Sequence, residues 1–106
     1  MLTIIESPLF SKLWRDYWTE DERDQFMTHL ASHPECGVVV PGSGGCRKVR
    51  WSSGLRGKSG AVRVIYMTQL ANGSLVALLI YGKGATESIP AHILRKVAKE
   101  MNHAPD

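Results

Sequence analysis

The hydrophobic period of this chain changes near Pro41, and that change limits the folds open to it. Before it, Leu9, Leu13 and Tyr17, with Phe10, Trp14 and Trp18, recur at four-residue steps, the spacing of one wide apolar stripe on a helix. After it come Gly42-Ser43-Gly44-Gly45, a loop composition, and then segments in which side-chain character alternates with the period of a strand. A chain of 106 residues built this way fits one α+β domain spanning 1–106, long enough for a hydrophobic core and too short for two.

Local signals divide the chain further. Thr3 to Ile5 is a short β-rich run, and Ser7-Pro8 supplies an N-cap and first helical position. The aromatic stripe of this first helix is assigned to the core rather than to a base-stacking platform. Thr19-Glu20-Asp21-Glu22 is a capping box opening a second helix, whose apolar face is Phe26, Met27, Leu30 and Ala31 and which ends near His33-Pro34. In a strand from Cys46 to Trp51, Lys48 and Arg50 share one face, and Val49 and Trp51 the other. Residues 52–60 form a basic loop with Gly54, Gly57 and Gly60. Val62, Val64 and Tyr66 then alternate with Arg63, Ile65 and Met67 in a strand ending near Leu70. Asn72-Gly73 signals a hairpin, Leu75 to Tyr81 returns as a mostly buried strand, and a last amphipathic helix begins near Ser88. The expected architecture is a twisted antiparallel sheet packed by an N-terminal helical hairpin, plus a C-terminal helix.

Charge is segregated along the same division. Residues 1–35 hold seven carboxylates against Lys12, Arg15 and Arg23, whereas 36–86 contain no Asp or Glu and seven cations: Arg47, Lys48, Arg50, Arg56, Lys58, Arg63 and Lys83. An uncompensated cationic block calls for an anion from outside, and nucleic acid, RNA above all, is the expected one. Its absence of carboxylates argues against a magnesium nuclease assembled there, because hard cations need Asp or Glu oxygens. Gly57-Lys58-Ser59 imitates the end of a phosphate-binding P-loop, but Ser52 stands where the first glycine is required and a strand follows. His29, His33, His92 and His103 fall in or beside helices, away from the cations, and are read as solvent-exposed. Cys36 and Cys46 lack metal-ligand spacing and are expected to stay reduced. No apolar run reaches the roughly 20 residues of a membrane span, and the opening residues lack a secretory pattern, so a cytoplasmic location is expected.

Metal-free cleavage of RNA uses the ribose 2′-hydroxyl as internal nucleophile, so a protein must move two protons and stabilise a crowded phosphorane. Arg63 suits bidentate binding of that phosphate. Like-charge repulsion beside Arg50 makes Lys48 a conceivable base or acid. Tyr66 and Tyr81 offer a hydroxyl or a stacking ring, Lys83 a proton or a charge, and Arg47, Arg56 and Lys58 contacts to the RNA. The same residues would equally serve a face that positions phosphates and catalyses nothing.

The stretch Pro41-Gly42-Ser43-Gly44-Gly45-Cys46-Arg47-Lys48-Val49-Arg50-Trp51 resembles the HigB branch of the RelE superfamily. So do Gly57-Lys58-Ser59-Gly60, Val62-Arg63-Val64-Ile65-Tyr66 and Leu79-Ile80-Tyr81-Gly82-Lys83. The resemblance extends over nearly the whole chain and is most specific from 41 to 66. It implies a toxin of a type II toxin–antitoxin system, a ribosome-dependent endoribonuclease that cuts translated mRNA in the A site without metal or cofactor. Carried over by position, the family's strand-borne basic pair falls on Lys48 and Arg50, its phosphate-gripping arginine on Arg63, and its basic residue after the last strand on Lys83, with Tyr81 a further candidate. RelE proper has another arginine just after the last strand and a tyrosine near its C-terminus. This chain has Gly84 and no tyrosine beyond Tyr81, which leaves the general base unassigned. The implied partners are the ribosome, mRNA and a HigA-like helix-turn-helix antitoxin through which operator DNA would be reached. The antitoxin surface stays open between the acidic hairpin and the basic cleft. The alternatives are a non-catalytic nucleic-acid-binding module and a degenerate toxin acting as co-repressor.

Overall fold

The computed structural model describes residues 3–52, 62–69 and 73–82, together with Lys96. Strand β1 (Thr3–Glu6) leads into helix α1 (Pro8–Leu13), a 3-10 turn (Trp14–Asp16) and helix α2 (Glu20–Ser32), followed by strands β2 (Val38–Val39), β3 (Cys46–Trp51), β4 (Val62–Gln69) and β5 (Ser74–Gly82). The strands form one sheet in the order β1-β5-β4-β3-β2. Its neighbours are antiparallel except β1 and β5, which run parallel, pairing Thr3 with Ser74 and Glu6 with Ala77. The sheet is therefore mixed, a correction to the antiparallel sheet expected from the sequence. Both helices and three strands intervene between β1 and β5, so no tight turn obliges the two to run in opposite directions. The expected last helix lies outside the described residues except for Lys96, which is helical and exposed. Among the described residues no helix is long and apolar enough to cross a membrane.

Both helices begin where their caps are written. The Ser7 hydroxyl accepts from the Phe10 N–H at 3.0 Å with Pro8 in the first turn. Thr19 and Glu22 exchange the two bonds of a capping box at 2.7 and 3.2 Å. Helix α1 is shorter than its apolar stripe. It ends at Leu13, and Trp14–Asp16 tighten into a 3-10 turn that lets the chain reach the extended Thr19 cap. The stripe survives the change, because Phe10, Trp14 and Trp18 are all buried against the sheet. Phe26 continues it, 5.0 Å from Trp18 and 5.4 Å from Trp51 between ring centres.

The helices cover one face, where Val49, Val62, Val64, Tyr66, Leu75 and Ile80 meet them. The other face is also apolar at its centre, with Cys46, Ile65, Met67, Val76 and Leu78 buried. Consequently β4 and β5 are buried on both sides, and a charge on either strand stands out. Strand β2 was not expected. It is a two-residue edge whose Val38 and Val39 are exposed, too short to give a periodic signal.

Tyr66 joins the exit of α2 to the middle of the sheet. Its hydroxyl donates to the Pro34 carbonyl at 2.8 Å and accepts from the Gly37 N–H at 2.9 Å, with the ring fully buried. A Cβ at Gly37 would lie 2.9 Å from the Tyr66 ring, so this approach requires glycine. Burial, above all, pushes the Tyr66 hydroxyl up to about 12, against the Gly37 hydrogen bond. An unfolded tyrosine ionises near 10, so between about pH 10 and 12 the unfolded chain releases a proton that the fold retains, and stability falls as pH rises. Tyr66→Phe leaves the Gly37 N–H and the Pro34 carbonyl without this partner and should cost about 1–3 kcal/mol in urea unfolding. It should also flatten the alkaline decline, and a variant as stable as wild type with the same decline would contradict this role.

Candidate nucleic-acid interface

Strand register decides which of the cations can act together. Across β3, β4 and β5, Arg50 pairs with Arg63 and Arg63 with Tyr81, so the three side chains form one transverse row on the face away from the helices. Lys48 stands two residues from Arg50 on the same strand face, opposite Ile65. Sequence alternation anticipated the Lys48 and Arg50 pair, and the register adds Arg63 and Tyr81 to it.

Tyr81 reaches this face through an irregularity. The β4–β5 register slips between Ile65, opposite Leu79, and Tyr66, opposite Ala77, which leaves Leu78 as an extra residue. Leu78 and Leu79 therefore both belong to the apolar cluster away from the helices, and Ile80 and Tyr81 exchange the faces that strict alternation from Leu75 would give them. No local signal in the sequence marks this bulge.

The row is electrostatically incomplete. Like charges directly opposite on a sheet repel, and Arg50 and Arg63 are such a pair. Among the described residues the ion pairs are those of Arg23 with Glu6 and Asp24, and neither involves the row. Nη1 of Arg63 is buried and has no hydrogen-bond partner among the described residues. Arg50 is exposed, Arg63 half-buried and Tyr81 only 5% exposed. Burial pushes the Tyr81 hydroxyl up while the Arg63 charge draws it down, and burial prevails. Tyr81 is therefore a protonated donor at neutral pH.

Two expected RNA contacts lie elsewhere. Tyr66, expected to offer a hydroxyl or a stacking ring, is fully buried on the helix side, and its hydroxyl bonds to Pro34 and Gly37. Arg47, directly opposite Tyr66, donates from Nη1 to the Gly37 carbonyl at 2.8 Å. Neither stands in the row, because each is out of phase with Lys48, Arg50 and Arg63 along its strand. Arg56, Lys58 and Lys83 lie outside the described residues.

His29 and His33 stack at 4.8 Å between ring centres, beside Trp51, and line an open concavity of about 450 Å³ with Pro34, Glu35 and Cys36 at the exit of α2. His29 is half-buried and His33 exposed, so the expectation of solvent-exposed histidines holds for His33 alone of the two. They belong to the helical side and take no part in the row.

A helical hairpin laid on one face of a five-stranded mixed sheet, with a cationic row on the other, defines an α+β fold of the RelE kind. The solved structure of a double arginine-to-alanine mutant of the E. coli toxin RelE, in the free state, is similar to this chain, with a TM-score of 0.58. The match covers 81% of this chain and 87% of that one at 16% sequence identity, a likeness of fold. No family model matches the sequence.

If the row is an anion site, sulfate should raise the melting temperature of the wild type beyond the effect of chloride at equal ionic strength. Arg63→Gln should lose most of that increment. Equal increments in both proteins would mean that sulfate acts only through general exclusion from the surface.

Proposed function

We propose that this protein is a RelE-type toxin of a type II toxin–antitoxin system, of the HigB branch, and that it cleaves translated mRNA in the ribosomal A site. The observation that carries this reading is the Arg50–Arg63–Tyr81 row, two opposed arginines with a buried, unpartnered Nη1 and a protonated phenol beside it. A phosphodiester offers what the row lacks: a charge that relieves the repulsion and oxygens that accept from guanidinium and hydroxyl. The fold likeness to a RelE toxin supports the same assignment.

In the proposed reaction the ribose 2′-oxygen attacks the adjacent phosphorus as its proton leaves. The bond from phosphorus to the 5′-oxygen breaks, and a proton goes to that oxygen, leaving a cyclic phosphate on one fragment and a free 5′-hydroxyl on the other. Arg63, helped by Arg50, grips the phosphorane oxygens, where charge grows most and where a half-buried cation acts more strongly than an exposed one. Tyr81 donates to a phosphoryl oxygen or to the leaving group. Lys48 and Lys83 are the remaining groups for proton transfer, and Arg56 and Lys58 extend the phosphate contacts. Residues 1–106 act as one domain in the cytoplasm, with ribosome-bound mRNA as substrate and a HigA-like helix-turn-helix antitoxin as inhibitor and route to operator DNA.

A second reading, a face that binds nucleic acid without cutting it, draws on the chemistry of the row, whose guanidinium and phenol groups are hydrogen-bond donors that suit holding a phosphate without cutting it. Induced expression separates the two. Wild type should arrest growth and create mRNA 5′ ends in phase with the reading frame, whereas Arg63→Ala should do neither while still binding its antitoxin. In vitro, Arg63→Ala should weaken single-stranded RNA binding and reduce the slope of log affinity against log salt by about one. Soluble wild type without growth arrest or new mRNA ends would replace the nuclease with the binding module or the co-repressor.

A further inference from the structure

The irregularity that brings Tyr81 to the row lies in β5, beside the edge strand β1. Ser7 follows β1, next to the bulge in β5. Its N–H donates to the Ala77 carbonyl at 2.9 Å and its hydroxyl to the Leu78 carbonyl at 2.8 Å, so the carbonyls on either side of the extra residue are held by a single amino acid. The same hydroxyl oxygen accepts from the Phe10 N–H. Ser7 is 3% exposed, so water is a poor substitute for these bonds.

A bulge leaves one residue out of the ladder, and a strand can escape it by slipping one position. Here a slip would put Tyr81 on the helix side, where Tyr17 already lies against Gly82, with a ring carbon 3.0 Å from where a Cβ at Gly82 would stand. It would also carry Ile80 out of the core formed with Val64. Resting on the reading of the row given above, we infer that Ser7 is a positioning residue of the RNA site: by clamping the Leu78 bulge it sets Tyr81 opposite Arg63. It touches no substrate and acts only through β5.

The capping and clamping roles of Ser7 separate by substitution. Glycine is nearly as good an N-cap as serine, so Ser7→Gly retains α1 and loses the donor to Leu78, whereas threonine keeps both bonds. Ser7→Ala, which loses the cap as well, serves as the harsher comparison. The first readout needs no RNA: with ring-labelled tyrosine, the NMR signal of Tyr81 and its alkaline titration report its distance from Arg63. Ser7→Gly should move that signal and weaken its response to Arg63→Gln, and Ser7→Thr should restore both. The second readout is affinity for a labelled single-stranded oligouridylate. Ser7→Gly and Tyr81→Phe should each weaken it roughly threefold to tenfold, the range of one hydrogen bond, and the double variant should be no weaker than either.

A folded Ser7→Gly protein with an unchanged Tyr81 signal would overturn the inference, as would additive losses in the double variant. Those outcomes leave the RNA site intact if Arg63→Ala still abolishes binding. An Arg63→Ala protein that binds RNA as wild type does would sink the site reading instead, while the Tyr81 signal would still decide whether Ser7 places the ring.

Discussion

Three parts of the chain meet at Ser7. It closes the first turn of α1 through the Phe10 N–H, it satisfies the Leu78 carbonyl at the bulge, and its own N–H holds Ala77, the partner of Glu6 in the parallel ladder. The angle at which β1 turns into the helical hairpin is thus tied to the irregularity in β5. Glu6, one residue earlier, accepts from the Ser11 hydroxyl and from Arg23, so α1 and α2 are both anchored to the end of β1. The far end of the hairpin is held in the same manner, by the Tyr66 hydroxyl on Pro34 and Gly37 and by Arg47 on the Gly37 carbonyl. Both ends of the helical layer are thus fixed by polar bonds to strands, and the aromatic rings between them fill the space those bonds define.

The acidic and basic halves of the sequence have different fates in this arrangement. Several carboxylates of the helical third work inside the protein: Glu22 closes the capping box, and Glu6 and Asp24 pair with Arg23, whose guanidinium also lies over Trp14. That use of charge is local and ordinary for helices. Among the described residues the sheet has no such internal solution for Arg50 and Arg63, and residues 36–86 contain no Asp or Glu. The segregation visible in the sequence becomes, in the fold, a division between a helical side that pairs some of its charges internally and a sheet row that, among the described residues, pairs none.

What could be read in advance follows the range of the interaction responsible. Ser7, Thr19 and Glu22 announced both helix starts because a cap is a matter of a few consecutive residues. Alternation put Lys48 and Arg50 together and Val49 on the opposite face for the same reason. The parallel pairing of Thr3 with Ser74 joins residues far apart in sequence and left no local mark. Nor did the Leu78 bulge, since Leu75 to Tyr81 is apolar throughout and an unbroken apolar run gives no phase from which to detect a slip. Tyr66 and Arg47 were legible in another way: strand phase alone assigns both to the helix side, away from Lys48, Arg50 and Arg63.

Arg63 is the clearest departure from the rules that otherwise govern this sheet. Its strand is buried on both faces, its neighbours Val62, Val64 and Ile65 are apolar, and a carbon side chain at 63 would suit the surroundings. A guanidinium there costs desolvation, meets a second arginine directly across the ladder, and leaves Nη1 without an acceptor. None of these costs is repaid within the described protein, since the nearby phenol remains protonated and the ion pairs lie on the other side. In a sequence in which caps, phase and core packing agree so widely, the break with them at this cation is what the proposed function draws on. Under the proposed function the acceptor is an anion that reaches this half-buried fork of donors from the face away from the helices, a geometry that a phosphodiester with two free oxygens satisfies.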